Sequence, residues 1–407
     1  MRNPVYALSV DEADVSSNFA PVLISISIRE QDGGKADTLE VELDDTDGQI
    51  ALPAMGAAVE ASLGWSDSAA VVCFTGFIAD VNSAGDGHEG GASGRHARHG
   101  GKKGGGSEPL RSAGSRSKGR TLTLTATSAD IRGAAKQPVE MHKDDSSFQD
   151  AASAFAAPSG LKVEVAGALA SIQRPYWWIG NESFLEWGTR VARDLGATFK
   201  VFGGKAVFAP RSAGISVSGQ PLTPIAATWG DNLLSWSIAP ILSRLDYAEY
   251  GARWYDLAAA KWNRETAAPS AAAGVVAKHT GNFKAATKDQ ASRRATSSKD
   301  EGEREKGGAD HVTIQGEPAA QVEASCNVSG VRPGVDGSYV ISAVTHRLTR
   351  HEGFITELAL KRPSGAAGTD SRKSGSESDI GAASDATSLS GSYNPLSSGG
   401  AYSPGSP

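Results

Sequence analysis

The sequence is poor in sulfur. Its 407 residues include two cysteines, Cys73 and Cys326, and three methionines. Two cysteines cannot staple a disulfide scaffold or complete a cysteine-rich zinc site. Their plain reading is a pair of half-buried thiols in a chain made in a reducing cytoplasm. One disulfide between Cys73 and Cys326, within or between subunits, is the alternative. No apolar run reaches the length of a membrane helix, so no membrane insertion is expected. The opening MRNPVYALSVDEADVSS lacks the charged, then apolar, then small order of a secretory signal, and none is expected. Positive charge is not in excess either. Forty Lys and Arg stand against 46 Asp and Glu, a net charge of −6. That balance argues against a protein built to grip nucleic acid, though not against one that sits beside it.

Catalytic signatures are missing too. There is no Gly-x-Ser-x-Gly elbow and no P-loop lysine motif. The Gly-Gly-Lys of VFGGKAVF reads as a hairpin turn. His346, His351 and Glu352 lie in HRLTRHE. Zinc helices place histidines four apart with Glu directly after the first. In a strand, residues 346 and 351 would face opposite sides. His96 and His99 lie in GRHARHGG, where only adventitious metal binding is expected. Asp44, Asp45 and Asp47 crowd one turn. Side-chain-to-backbone turn bonds account for them better than calcium or glycosidase chemistry. No catalytic residue, cofactor or metal is therefore expected, and the chain reads as a non-enzyme.

What is present is strand pattern. VLISISI (22–28), TLEVELD (38–44), VVCFTGFIADV (71–81) and TLTLTATSAD (121–130) alternate apolar and polar residues, and AAVEASLGW lies among them. Turn-rich stretches separate them, which suggests a small antiparallel barrel or sandwich. Residues 84–120 are Gly-rich and basic and cannot bury a core, so they read as a disordered insertion.

The middle, 135–212, is an α+β module. Phe148, Ala151, Ala152 and Phe155 share one helical face. In NESFLEWGTRVARDLG, Ser183 and Glu186 have capping-box spacing and Gly196 sits at a helix stop. ATFKVFGGKAVFAP is a hairpin turning at Gly203–Gly204. RPYWWIG carries Tyr176, Trp177 and Trp178. These three are either core under the second helix or anchors of a protein interface, where Trp and Tyr dominate the energetics.

Strand pattern returns from 213 to 363, broken by a charged stretch at 285–310 that is an exposed helix or a loop. Residues 364–407 read as a disordered Gly/Ser tail. The expected domains are thus 1–134, 135–212 and 213–363, followed by that tail. The expected fold is mainly β: two similar antiparallel β-barrel domains with a helix–hairpin domain between them.

The tetrapeptide VEAS occurs at 59–62 and again at 322–325. In each case a strand carrying VEAS precedes a strand opened by Gly76 or Gly337 and a closing alternating strand. This reads as an internal duplication. Three such chains would present six similar barrels and could join a six-fold partner to a three-fold one.

The order of these segments over residues 5–362 resembles the phage late control gene D proteins, the baseplate hubs of contractile tails. The resemblance rests on DTLEVELDDTDGQIALPAMGAAVEASLGW (37–65), GFIADV, TATSAD, the 181–210 helix and hairpin, RLDYAEYGARWYD (244–256) and DGSYVISAVTHRLTRHEGFITELAL (336–360). It implies a homotrimeric ring of tail-tube-like barrels in the virion, assembled in the host cytoplasm. Such a ring would join the tail tube protein to a spike protein, beside the tape measure and other baseplate proteins, with DNA passing only in transit. The Gly/Ser tail implies that the spike is a separate protein. Residues 84–120, 285–310 and the tail depart from the family pattern, and no role is carried onto them. The competing classes are a tail-tip peptidoglycan hydrolase and a β-sandwich glycan-binding adhesin.

Overall fold

A computed structural model describes residues 2–364 apart from 33–35, 86–118, 129–132, 213, 217, 219, 240–246, 270–274 and 306–309. Most of the 84–120 insertion and nearly all of the 364–407 tail therefore lie outside the described residues. The protein is mainly β with large antiparallel sheets, as the alternating segments predict.

The first strand unit comprises β1 (Pro4–Val10), the two-residue β2 (Ala13–Asp14), the short α1 (Ser16–Phe19), β3 (Leu23–Gln31), β4 (Thr38–Asp44), β5 (Ala58–Trp65), β6 (Val71–Gly85) and β7 (Arg120–Thr127). Its ladder runs β3-β4-β7-β6-β5-β1. The period-2 alternation sends Leu39, Val41 and Leu43 inward to meet Leu122, Leu124 and Ala126. Each large side chain buried this way contributes about 2 kcal/mol.

The second unit comprises β13 (Ile225–Thr228), β14 (Leu233–Ser237), β18 (Asp310–Gln315), β19 (Ser325–Ser329), β20 (Gly337–Thr349) and β21 (Gly353–Lys361). Its ladder runs β14-β18-β21-β20-β19-β13, the same order as the first. The registers agree in detail. Leu23 and Leu233 are each followed by a one-residue bulge against the partner strand. Ile78 and Ile341 are each followed by one as well. LISISI (23–28) thereby overlays LLSWSI (233–238). One direction differs: β1 runs antiparallel to β5, whereas β13 runs parallel to β19.

The same registers correct the mark that revealed the repeat. Val59 opposes Gly76, and Cys326 opposes Tyr339. VEAS at 59–62 therefore overlays Cys326–Ser329, not the second VEAS, and Gly76 overlays Tyr339 rather than Gly337. The second VEAS overlays the turn before β5. There Gly56 donates its N–H to Ile78 and Glu323 donates its N–H to Ile341. Both turn residues have positive φ, 83° and 72°. The first unit uses glycine where this conformation has no steric cost; the second holds a glutamate in it.

Between the units lie β8 (Val139–Ser147), α2 (Phe148–Ala156), β9 (Lys162–Val165), α3 (Gly167–Ala170), β10 (Gln173–Glu182), α4 (Phe184–Leu195), β11 (Ala197–Phe202) and β12 (Lys205–Pro210). Helix α4 begins with the full Ser183–Glu186 capping box and stops at left-handed Gly196. Its Trp187 is fully buried against Phe155 and Phe184, and its indole N–H donates to the Trp178 carbonyl at 3.0 Å. Gly188 lets the helix lie close on β11, since a Cβ there would meet the Phe199 ring at 2.7 Å. The Gly203–Gly204 hairpin joins β11 to β12 with positive φ at both glycines.

An insertion between β14 and β18 holds β15 (Glu249–Asp256), β16 (Lys261–Ala267), β17 (Lys278–Ala285) and α5 (Lys288–Arg304). The Glu249–Asp256 part of RLDYAEYGARWYD thus belongs to a separate three-stranded sheet and not to the second unit's ladder. Within the charged 285–310 stretch, Lys288–Arg304 form α5, which docks by Ala291 and Ala295 on that sheet. Its alanines, spaced four apart, give only a narrow apolar stripe among charges, which explains why a loop was an equal reading.

Replacing Trp187 by Ala should lower stability by about 3–5 kcal/mol, because the indole is surrounded by rings that cannot close the gap. Urea unfolding followed at the middle module checks this. A loss below about 1 kcal/mol would contradict the packing described.

Candidate functional site

The two strand units meet edge to edge. Strand β3 pairs antiparallel with the second half of β20, from Ser25 opposite Thr349 to Gln31 opposite Ala343. The result is one continuous 13-stranded sheet. The first unit's core takes in Leu348 and Phe354 from the second. Trp65 ties the far side, donating its indole N–H to the Gly316 carbonyl at 2.9 Å across a sequence separation of 251.

On its other face the seam is polar. Ser27, Arg29, Thr38, Glu40, Thr345, Arg347 and Glu357 line a shallow depression. Arg347 and Glu357 lie 3.8 Å apart. Charges of both signs share this surface, so it forms no basic stripe.

At one end of the seam a buried ionic cluster joins all parts of the chain. Asp32, just after β3, pairs with Arg304 of α5 at 2.6 Å and faces Arg211 at 3.9 Å. The Arg304 side chain is only 4% exposed. Burial alone would raise the Asp32 carboxyl, but Arg211 and Arg304 outweigh it and hold it below the usual range. Lys200 of β11 bridges Glu30 and Asp37. Burial would lower the Lys200 ammonium; Glu30 and Asp37 keep it raised. Asp37 is pushed up by burial to about 6 despite Lys200. Glu323 accepts from the Thr198 hydroxyl at 2.8 Å and from the Ser212 N–H. Burial and the nearby Asp32 raise its carboxyl. The backbone strain at Glu323 therefore aims a buried carboxylate at the middle module. A cavity of about 130 Å³ beside Asp32, Arg211, Arg304 and Lys361 completes the junction.

The sequence candidates fall elsewhere. Alternation along β10 splits the aromatic trio. Trp177 is buried, stacks under Arg174 at 4.3 Å and donates to the Ser146 carbonyl at 2.9 Å. Tyr176 and Trp178 are about half exposed, and Tyr176 stacks on His142. Cys73 and Cys326 are free thiols within the chain. Burial raises Cys73 to about 11 and Cys326 to about 12. Cys326 is fully buried rather than half-buried, because it takes an inward position on β19.

His346 is buried on β20, bonded to the Thr356 hydroxyl at 3.0 Å and lowered by burial to about 4. His351 is in the following turn. Asp44 accepts from the Thr46 N–H and Asp45 from the Ile50 N–H, which are turn bonds. Among the described residues no group of three or more His, Cys, Asp or Glu could hold a metal ion, and no helix is long and apolar enough to cross a membrane. The ionic cluster escaped sequence reading because Asp32, Lys200, Arg304 and Glu323 share no local spacing. The only hint was a glutamate inside an apolar run, AQVEASCNV.

No family model matches the chain. It is 29% identical over 228 residues to the probable baseplate hub protein of Escherichia phage 186, covering 56% of this chain and 50% of that protein. The chain spans about half the length of the curated relatives it matches. Two solved structures share its fold. The tail protein of Neisseria meningitidis MC58 superposes with a TM-score of 0.62 over 90% of this chain and 99% of that one, at 14% identity. The 43 kDa tail protein of prophage MuSo2 from Shewanella oneidensis gives 0.63 over 89% and 99%, also at 14%. The resemblance to baseplate hub proteins read from the segment order is thus found independently by these comparisons.

Two outcomes test the cluster. Arg304→Ala should cost about 3 kcal/mol, because Asp32 then stays buried without its closest cation, leaving Arg211 at 3.9 Å and the charge of Lys361. Hydrogen exchange should rise across α5; unchanged exchange there would contradict the role given to the pair. The folded state binds the Asp37 proton more tightly than the unfolded chain does. Its contribution is thus full below about pH 4 and is lost as pH rises through about 6. The stability of wild type minus Asp37→Asn should fall over that window by at most about 3 kcal/mol. Urea titrations at stepped pH read this slope, and a flat or rising difference would contradict it.

Proposed function

We propose that the chain is a structural subunit of a contractile-tail baseplate hub in a phage or phage-like particle. In this reading three copies close a ring of six like strand units. One face seats a hexameric tail tube, the other holds a trimeric spike, and DNA crosses the centre in transit. The observation that carries the reading is the internal duplication: two units of the same strand order and matched bulges, joined edge to edge in one sheet. A chain with two quasi-equivalent units can offer three-fold symmetry to one partner and near six-fold symmetry to another. The similarity to a probable baseplate hub protein of phage 186 supports the same reading.

The polar face of the seam suits a passage that must not hold its cargo. Each phosphate gripped by Lys or Arg adds affinity, and here Arg29 and Arg347 share the surface with Glu40 and Glu357. The exposed Tyr176 and Trp178 are candidate contacts to a baseplate partner. The role is mechanical, with no bond-making step.

Electron microscopy and mass measurement of the purified chain, alone and with its spike protein, test this. Three-fold rings with six similar lobes and a central hole are expected. Monomers at every concentration, with and without spike, would overturn the ring. Clearance of cell-wall material by the pure chain would redirect the assignment to a hydrolase.

A further inference from the structure

The duplicated registers make the β3·β20 seam a template. By their pairing with β4 and β18, Ile26 and Ser27 correspond to Trp236 and Ser237; counting on along the chain, Ile28 and Arg29 correspond to Ile238 and Ala239, just past the end of β14. By their pairing with β7 and β21, Thr345, His346, Arg347 and Leu348 correspond to Asn82, Ser83, Ala84 and Gly85. In the chain the first set meets the second only once, as β3 on β20. The counterpart edges, β14 and the second half of β6, have no strand across from them among the described residues.

Their exposure marks the missing neighbour. Ile26 is 1% exposed, whereas its counterpart Trp236 is 37% exposed. His346 and Leu348 are buried, whereas Ser83 and Gly85 are exposed. Trp236 stands in a T-shaped pair with Trp229, itself half exposed, and Leu234 beside them is exposed too. The sizes are complementary. Inside the chain Leu348 opposes Ile26; at the free edges tiny Gly85 would oppose large Trp236.

We infer that β14 of one copy, extended through Ile238 and Ala239, pairs antiparallel with the second half of β6 of the next copy, in the register of the internal seam. Asn82 then opposes Ala239, Ser83 opposes Ile238, Ala84 opposes Ser237 and Gly85 opposes Trp236. The contact is head-to-tail, since each copy gives one β14 edge and one β6 edge, and such contacts close into rings when the rotation permits. This deepens the ring reading above and takes its copy number from it. The partner is a second copy of this chain.

The test is a disulfide across the inferred pair in the full-length chain. Directly opposed residues have Cα atoms about 4.5–5.5 Å apart, within disulfide reach, whereas a partner two residues along the strand is too far. The double variant N82C/A239C is compared with the shifted control N82C/S237C under mild oxidation, with mass measured in parallel. Expected are covalent oligomers stopping at three chains, formed at least about ten-fold faster than in the control. Trimers by mass that cross-link no faster than the control would overturn the strand pairing and leave the ring standing. A dimer by mass would point to β14 pairing with another β14 and overturn the inference. Monomers with no cross-link would overturn both readings.

Discussion

The backbone pairing of β3 with β20 is the constraint on which the rest depends. Without it the chain would be two separate strand units, each with an exposed edge. With it, Ile26, Ile28, Leu348 and Phe354 share one core, and the first unit cannot complete its interior without the second. Backbone pairing alone would allow a slip along the strand. A one-residue slip would turn Ile26 and Ile28 away from that core, so their burial fixes the register. The bulges at matched places in both units add twist at the same points of each ladder.

The ionic cluster at the end of the seam serves specificity more than net stability. Burying Asp32, Arg304, Lys200 and Glu323 costs desolvation that their mutual attraction only partly offsets. An apolar cluster of similar volume could be as stable. It would not distinguish one docking of the middle module from another, whereas here each carboxylate finds its donor only in one arrangement. Glu323 shows the cost accepted. It sits in a left-handed turn where the first unit has Gly56, and it does so while reaching Thr198 and the Ser212 N–H.

Much of the architecture was legible in short stretches. Alternation gave β4 and β7, and Ser183, Glu186 and Gly196 gave both ends of α4, because those signals act over a few residues. The long-range features were not legible in the same way. Nothing in LISISIREQ says that it pairs with a strand more than 300 residues later, since pairing is a property of two edges. The VEAS match was right about duplication and wrong about position. A strand reads only as inward and outward, so a four-residue shift preserves every face and looks equally good by eye. Bulge positions, visible only in the paired registers, settle it. The α5 sheet was missed because its strands alternate just as a unit strand does. Of the aromatic trio, Trp177 has a partner set that explains it within the chain.

Covalent duplication changes what assembly must supply. The internal seam forms at the effective concentration set by its own connection and costs no translational freedom. It is seven residue pairs long, from Ser25 opposite Thr349 to Gln31 opposite Ala343. The inferred seam between chains would start from an edge of five residues on β14, and a chain without its neighbour would have to stay soluble with that edge bare. Short edges and small polar residues such as Asn82 and Ser83 limit indiscriminate strand pairing. Trp236 and Trp229 then give the short edge an apolar anchor that polar edges of other proteins do not match. A longer internal seam and a shorter external one would suit the proposed ring, in which preformed pairs of units join end to end.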